Sequence, residues 1–288
     1  MRTQPLTRTA AVIGLVALVL ATGACSTSSS TSSAKASPIT ASGGSAGAGE
    51  PPLSLVAIGD SIPYNSPYDC PGCTGFVDRY ARALAQATGR EVVTTNWSEH
   101  NGLTLPMLMD ELSFDKDQLS KADAIIVGVA HNSIVLNADK PCGTRFDDAT
   151  STLDDWSKVT RECAESTAAE YRPQYDKLFA TIASWRAGKP TLLRTIDKYN
   201  DWNGWEDAHL TPDQVRRTVV VHDVWNRMLC HSAESHGFTC ADIYHAFNGA
   251  DGMQPSGDLL AADYTHPSER GNERIAQVLV AQGFSPLA

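Results

Sequence analysis

The chain has 288 residues, 42% of them hydrophobic, and 33 acidic against 23 basic side chains give a net charge of −10. A surface that acidic argues against a nucleic-acid partner and against simple electrostatic docking on anionic lipid. Beyond a short N-terminal segment the length suits one ordinary α/β-sized domain with a sizeable core, and no internal repeat or second linker divides it.

Arg2 and Arg8 precede an apolar run from Ala10 to Ala21, followed by Thr22-Gly23-Ala24-Cys25. This is the pattern of a secretory signal, and the run is well short of the ~20 residues of a spanning helix. Residues 1–24 are therefore expected to be a signal peptide. Cys25 resembles the lipid-carrying cysteine of a bacterial lipobox, with Thr22 where that pattern favours an aliphatic residue. The expectation is an exported lipoprotein held at the outer face of the cell membrane through Cys25, with plain secretion as the alternative. Losing Arg2 and Arg8 takes the basic side chains from 23 to 21 while all 33 acids stay, so the net charge deepens from −10 to −12.

Residues 25–50 are mostly Ser, Thr, Ala and Gly, a composition that buries too little apolar surface to offset its ordering entropy. They read as a tether with a root-mean-square reach of ~25–30 Å. Pro51-Pro52 opens the folded region, 51–288.

Leu53 to Ile58 reads as a buried strand that ends in Gly59-Asp60-Ser61. Helical spacing follows over Gly75 to Thr88, with Gly89 as C-cap, then a strand over Glu91 to Asn96 and a helix over Gly102 to Leu112. Ala122 to Val129 is a near-continuous apolar run of the kind a parallel sheet buries on both faces. The remaining pattern predicts a helix over Thr167 to Arg186, a strand over Pro190 to Ile196, a helix over Pro212 to His236, a strand over Phe238 to Tyr244 and a closing helix over Glu269 to Gln282. Alternating strands and helices imply an α/β/α three-layer sandwich with a central parallel sheet of about five strands. Ligands of such sheets sit beyond the C-terminal strand edges.

A serine hydroxyl is a weak nucleophile at neutral pH. It needs an imidazole to take its proton, and the imidazole needs a carboxylate to hold its tautomer and stabilise its cation. Asp263-Tyr264-Thr265-His266-Pro267 offers both partners in the turn that enters the last helix, and Ser61 follows the first strand. Gly-Asp-Ser alone is a common polar turn, and Asp-x-x-His alone is more often a helix entry. Their order and places give them weight.

These two segments resemble the first and last blocks of the SGNH/GDSL hydrolase family. Gly102, in Asn101-Gly102-Leu103-Thr104, stands for the glycine of the second block, and Ala130-His131-Asn132-Ser133 is similar to the family's Gly-x-Asn-Asp, with Asn132 on the asparagine. The resemblance implies catalysis by Ser61, Asp263 and His266, and an oxyanion hole formed by the amides of Ser61 and Gly102 with the Asn132 side chain. Two departures are Ala130 for Gly and Ser133 for Asp. Ala130 is expected to crowd the oxyanion pocket.

Six further cysteines in an exported chain favour disulfides. Near neighbours give Cys70–Cys73, Cys142–Cys163 and Cys230–Cys240, the competing reading of Cys70-Pro-Gly-Cys73 being a redox dithiol. No cysteine or histidine set has metal-ligand spacing, and neither metal nor cofactor is expected. His131 is a candidate wall of the site, and Trp202 and Trp205 are candidates to line an acyl or sugar pocket. The polar insert from Asn137 to Cys163 reads as a lid or a stapled surface loop. The expected activity is that of a monomeric serine esterase acting on small or short-chain carboxylic esters, or on lipids. The alternatives are O-deacetylation of an envelope or plant polysaccharide and, in another class, a non-catalytic binding module on the same fold.

Overall fold

Hydrophobic residues on the second strand point alternately to two cores, as the two-residue period of a β-strand requires. In a computed structural model that describes residues 39–41, 50–134, 142, 146–147, 152–204 and 209–288, Val56 and Ile58 enter one core and Leu53, Leu55 and Ala57 the other. The central strand Ala124–Gly128 divides in the same way, with Ile125 and Val127 on one side and Ala124 and Ile126 on the other. Only a sheet covered on both faces buries both sets.

The strands are β1 (Ile39–Ala41), β2 (Leu53–Gly59), β3 (Val92–Asn96), β4 (Ala124–Gly128), β7 (Leu192–Ile196) and β8 (Thr239–Ala241), in the order β1-β3-β2-β4-β7-β8. The five from β2 onward run parallel, and β1 pairs antiparallel with β3. A small hairpin joins β5 (Phe146–Asp147) and β6 (Thr152–Leu153). On one face lie α3 (Leu105–Glu111), α5 (Arg161–Trp185) and α6 (Pro212–Glu234); on the other lie α2 (Phe76–Thr88), α7 (Ile243–Asn248) and α8 (Glu269–Ala281). Two single-turn helices, α1 (Ser61–Tyr64) and α4 (Lys116–Leu119), complete the set. The three-layer α/β/α sandwich with five parallel strands is the architecture the sequence pattern predicts.

Helix ends follow ordinary capping chemistry. Thr211 forms a full capping box with Gln214 at the start of α6, Thr160 accepts from the Cys163 amide at α5, and Gly89 closes α2 with φ +68°. Three local expectations change. The helix expected from Thr167 begins at Arg161, because the Thr160 cap lies upstream of the apolar spacing. The strand expected over Phe238 to Tyr244 stops at Ala241, because the Asp242 side chain accepts the His245 amide at 3.0 Å and turns the chain into α7. Ile39–Ala41, inside the expected tether, is an edge strand whose backbone completes the sheet beside β3.

Disulfides join Cys70 to Cys73, Cys142 to Cys163 and Cys230 to Cys240, with Cα separations of 5.5, 5.6 and 5.3 Å. Among the described residues no helix is long and apolar enough to cross a membrane. Cys25, Trp205 and residues 137–141, 143–145 and 148–151 of the Asn137–Cys163 insert lie outside the described residues.

Candidate active site

β2 ends where only glycine fits. Gly59 has φ +148°, and a Cβ there would lie 1.9 Å from the Gly128 carbonyl oxygen of the neighbouring strand. The close approach of β2 and β4 brings Asp60 under the loop that follows β4. Asp60 is buried, and its carboxylate accepts three main-chain amides: Ile62 at 3.0 Å, Ala130 at 3.0 Å and His131 at 3.1 Å. Burial raises its pKa above the usual carboxylate range, against the pull of these hydrogen bonds and of Lys198. Asp60 thus caps α1, whose first residue is Ser61, and fastens that loop to residues 130 and 131. The sequence offered one signal for this role, its place between Gly59 and Ser61.

From the far end of the chain, Asp263 organises its own turn. Its Oδ1 accepts the amides of Thr265 and His266, each at 3.0 Å, and its Oδ2 accepts from His266 Nδ1 at 2.7 Å. Tyr264, at φ +57°, supplies the left-handed step that folds the carboxylate back toward the ring. An ionised carboxylate only accepts, so Nδ1 carries the proton and Nε2 presents its lone pair. Ser61 Oγ lies 2.9 Å from that Nε2 and donates to it. Burial opposes the cationic form of His266. The hydrogen bond and charge of Asp263, with Asp69 and Asp60 further out, prevail and raise its pKa above 6.5. Burial acts to raise the Asp263 pKa, but its hydrogen bonds to His266 and Thr265 bring it below the usual carboxylate range.

The turn is anchored on several sides. The Ala261 amide donates to the His266 carbonyl at 2.7 Å, and the Tyr199 hydroxyl donates to the Thr265 carbonyl at 2.6 Å. Asn272, fully buried on α8, accepts the Phe76 amide at 3.0 Å and donates to the Pro267 carbonyl at 3.1 Å and to Asn65 Oδ1 at 3.2 Å. Of the aromatic segment after β7, it is the tyrosine rather than Trp202 that reaches the histidine turn.

Gly102 is exposed in the loop between β3 and α3, at φ +76°. Asn132 is joined to that loop, its Nδ2 donating to the Leu103 carbonyl at 3.1 Å. That bond takes one of its two amide protons. Ser133, where the resemblance expects Asp, is buried and accepts the Leu105 amide at 2.7 Å, which ties the same two loops at the start of α3. Ala130 keeps a negative φ, so its backbone conformation makes no demand for glycine.

His131 is 5% exposed, with its ring 4.6 Å from that of Tyr199. Burial, then the charges of Lys198, His266 and His222, hold its pKa well below 6.5, so it stays neutral. Trp202 is 4% exposed and meets Trp156 edge-on at 5.7 Å, which leaves little surface to offer a ligand. His100, which flanks the Gly102 loop in sequence, borders the imidazole together with Tyr64 and Asp69, two residues that carry no sequence signal for the site: His100 lies 5.7 Å from His266 and 5.7 Å from Tyr64, ring to ring. Asp69 Oδ2 lies 3.5 Å from His266 Nε2.

Comparison with known proteins bears on this geometry. The model of the GDSL-like lipase/acylhydrolase family matches residues 57–274. Among solved structures, the chain is similar to the lipase Lip_vut3 from a goat rumen metagenome, at 21% identity over 82% of this chain and 100% of that one, with a TM-score of 0.64. It is also similar to an extracellular lipase from Streptomyces rimosus, at 17% identity over 81% of this chain and 100% of that one (TM-score 0.54). A third similarity is to phospholipase A1 from Streptomyces albidoflavus NA297, at 16% identity over 81% of this chain and 100% of that one (TM-score 0.53). At these identities the likeness is one of fold. No curated protein matches. The family match runs from inside the first central strand into the last helix, and the chain therefore belongs to the GDSL-like lipase/acylhydrolase family, whose chemistry is ester hydrolysis.

Proposed function

We propose that the chain is a serine esterase working through an acyl-Ser61 intermediate. The reading rests on one observation, the unbroken run from Asp263 Oδ2 to His266 Nδ1 at 2.7 Å and from His266 Nε2 to Ser61 Oγ at 2.9 Å. As Ser61 Oγ attacks the acyl carbon, its proton passes to Nε2 and Asp263 stabilises the imidazolium. The carbonyl oxygen takes on negative charge, for which the Ser61 and Gly102 amides and the free Asn132 amide proton are the proposed donors. Collapse breaks the acyl–oxygen bond, and the leaving alcohol takes the proton from His266. Water then gives a proton to Nε2 and attacks the acyl-serine, and the acid leaves as Ser61 recovers its proton.

Among the described residues, Tyr64, Asp69 and His100 lie beside the Ser61–His266 pair, polar groups that suit a small or short-chain acyl ester better than a long alkyl chain. We further read residues 1–24 as a signal peptide, and Cys25 as the lipid anchor of an exported monomer on the 25–50 tether. Palmitate labelling of the full chain beside Cys25→Ala tests the anchor. Hydrolysis of p-nitrophenyl acetate, butyrate and palmitate by wild type and Ser61→Ala tests the enzyme. The expected result is faster turnover of the two shorter esters and a loss of about 10³-fold or more in Ser61→Ala. A wild type no faster than Ser61→Ala ends the hydrolase reading in favour of a binding module.

A further inference from the structure

Asp69 presents a buried carboxylate oxygen that receives no well-directed hydrogen bond, although two imidazole nitrogens stand against it. His100 Nε2 is 2.7 Å from Asp69 Oδ2 and His266 Nε2 is 3.5 Å from it, and the three atoms all lie within 4.8 Å of one another. From this juxtaposition we propose that Asp69, His100 and His266 form an inhibitory site for a zinc-class divalent transition-metal ion.

The donor set decides the class of ion. Two imidazoles and one carboxylate suit Zn²⁺ and its borderline-soft neighbours, whereas Ca²⁺ and Mg²⁺ want oxygen shells. Zinc bonds to nitrogen and carboxylate oxygen are ~2.0–2.2 Å long, so tetrahedral ligand atoms sit ~3.4 Å apart. The His266–Asp69 separation already meets that spacing, and the His100–Asp69 pair has only to open by less than about 1 Å. The fourth position falls to water or to the Ser61 oxygen, which lies 2.9 Å from His266 Nε2.

The surroundings fix the ligands in place. Asp69 sits beside the Cys70–Cys73 disulfide, and its amide donates to the Ser66 carbonyl at 3.2 Å. Tyr64 stacks on His100. Asp263 holds the Nδ1 proton of His266 at 2.7 Å, which turns Nε2 toward the site and makes it more basic, the carboxylate–histidine–metal arrangement of many zinc centres.

Coordination uses the Nε2 lone pairs of both rings and one carboxylate oxygen. His266 then has no lone pair left for the Ser61 hydroxyl. On the triad reading above, the bound ion stops acyl transfer without displacing substrate groups.

The test uses the full chain freed of metal with a chelator and desalted. Co²⁺ titration of wild type is expected to give the visible ligand-field bands of a tetrahedral centre, displaced by Zn²⁺. Ser61→Ala should bind Co²⁺ as wild type does, while His100→Ala and Asp69→Asn should lose the tetrahedral bands. Zn²⁺ should inhibit p-nitrophenyl acetate hydrolysis, with Ca²⁺ and Mg²⁺ without effect at equal concentration. In His100→Ala the half-inhibitory Zn²⁺ concentration, measured against that variant's own metal-free rate, should rise at least about tenfold. Equal Zn²⁺ sensitivity in wild type and His100→Ala, or identical Co²⁺ spectra, would overturn the proposal. The spectra require no turnover, so they decide the metal site even if the esterase reading fails.

Discussion

The hydroxyl of Tyr199 donates to the main-chain carbonyl of Thr265 at 2.6 Å, one residue before the imidazole that faces Ser61. The ring of Tyr199 is itself immobilised, stacked on Phe247 at 4.4 Å and packed beside His131 at 4.6 Å. The segment after β7 thus braces a turn that the chain reaches 66 residues later. Tyr199→Phe keeps the packing and removes the brace, at a cost of about 1–2 kcal/mol in stability. A small displacement of a reacting group costs rate steeply. Steady-state kinetics should show kcat lower by roughly tenfold with KM nearly unchanged. An unaltered kcat would show that the turn holds His266 unaided.

Asn132 has a simpler job in the proposed mechanism. With one amide proton fixed on Leu103, its other is available to the developing oxyanion. Asn132→Ala should lower kcat by ~10²–10³ with little change in KM, because the contact is made in the transition state. A loss confined to KM would instead mark Asn132 as a substrate-binding residue.

Asp60 accepts amides from both α1 and the loop after β4. Asn at this position turns one acceptor oxygen into a donor, which then faces either the Ile62 amide or the amides of Ala130 and His131. Chemical denaturation of Asp60→Asn should show a loss of about 1–3 kcal/mol, the usual penalty for leaving a buried polar group unmatched. Activity should fall with it, since Ser61 and Asn132 are carried by the two segments being joined. A variant of full stability would mean that the loops are held by other contacts.

Asp197, at the end of β7, is buried and accepts the amides of Ile243 and Tyr244 through one oxygen, at 2.8 and 2.9 Å. Burial, then the charge of Asp242, pushes its pKa up from 3.8 to about 8. A carboxyl raised on folding favours the native state most fully below its unfolded pKa. That contribution erodes as pH climbs from about 4 toward about 8 and is gone above it. Asp197→Asn retains an oxygen for both amides and cannot ionise. Thermal melts across this range should show Tm falling less with pH in Asp197→Asn than in wild type, the two curves diverging upward in pH. Parallel curves would place the ionisation elsewhere.

Much of the fold was legible because its signals are local and redundant. The runs around β2 and β4 are apolar on both faces, which only a covered parallel sheet explains. Misreadings came where a single side chain outranked the pattern. Asp242 ended β8 early by capping α7, and Thr160 began α5 a turn and a half before its apolar stripe. β1 lies in a stretch of small residues with no strand signal, and its partner β3 supplies the reason for its conformation.

At the site, the short motifs named Ser61, Asp263, His266, Gly102 and Asn132, since each sits at a strand end or in the closing turn. What could not be read were partners set by tertiary approach. The triple acceptance by Asp60, the brace from Tyr199 and the meeting of Asp69 with His100 all join segments that sequence leaves unrelated. Ser133 shows the converse, a departure from the family pattern whose hydroxyl still ties its loop to Leu105.

The proposed nucleophile and its base are 205 residues apart in the chain. Contacts of such separation form late, after the intervening strands have paired and the closure entropy has been met. On the proposed mechanism, a chain that ends before His266 holds Ser61 with nothing to take its proton. Such a chain is chemically silent. On that mechanism ester turnover counts only those molecules in which the first central strand and the closing turn have met.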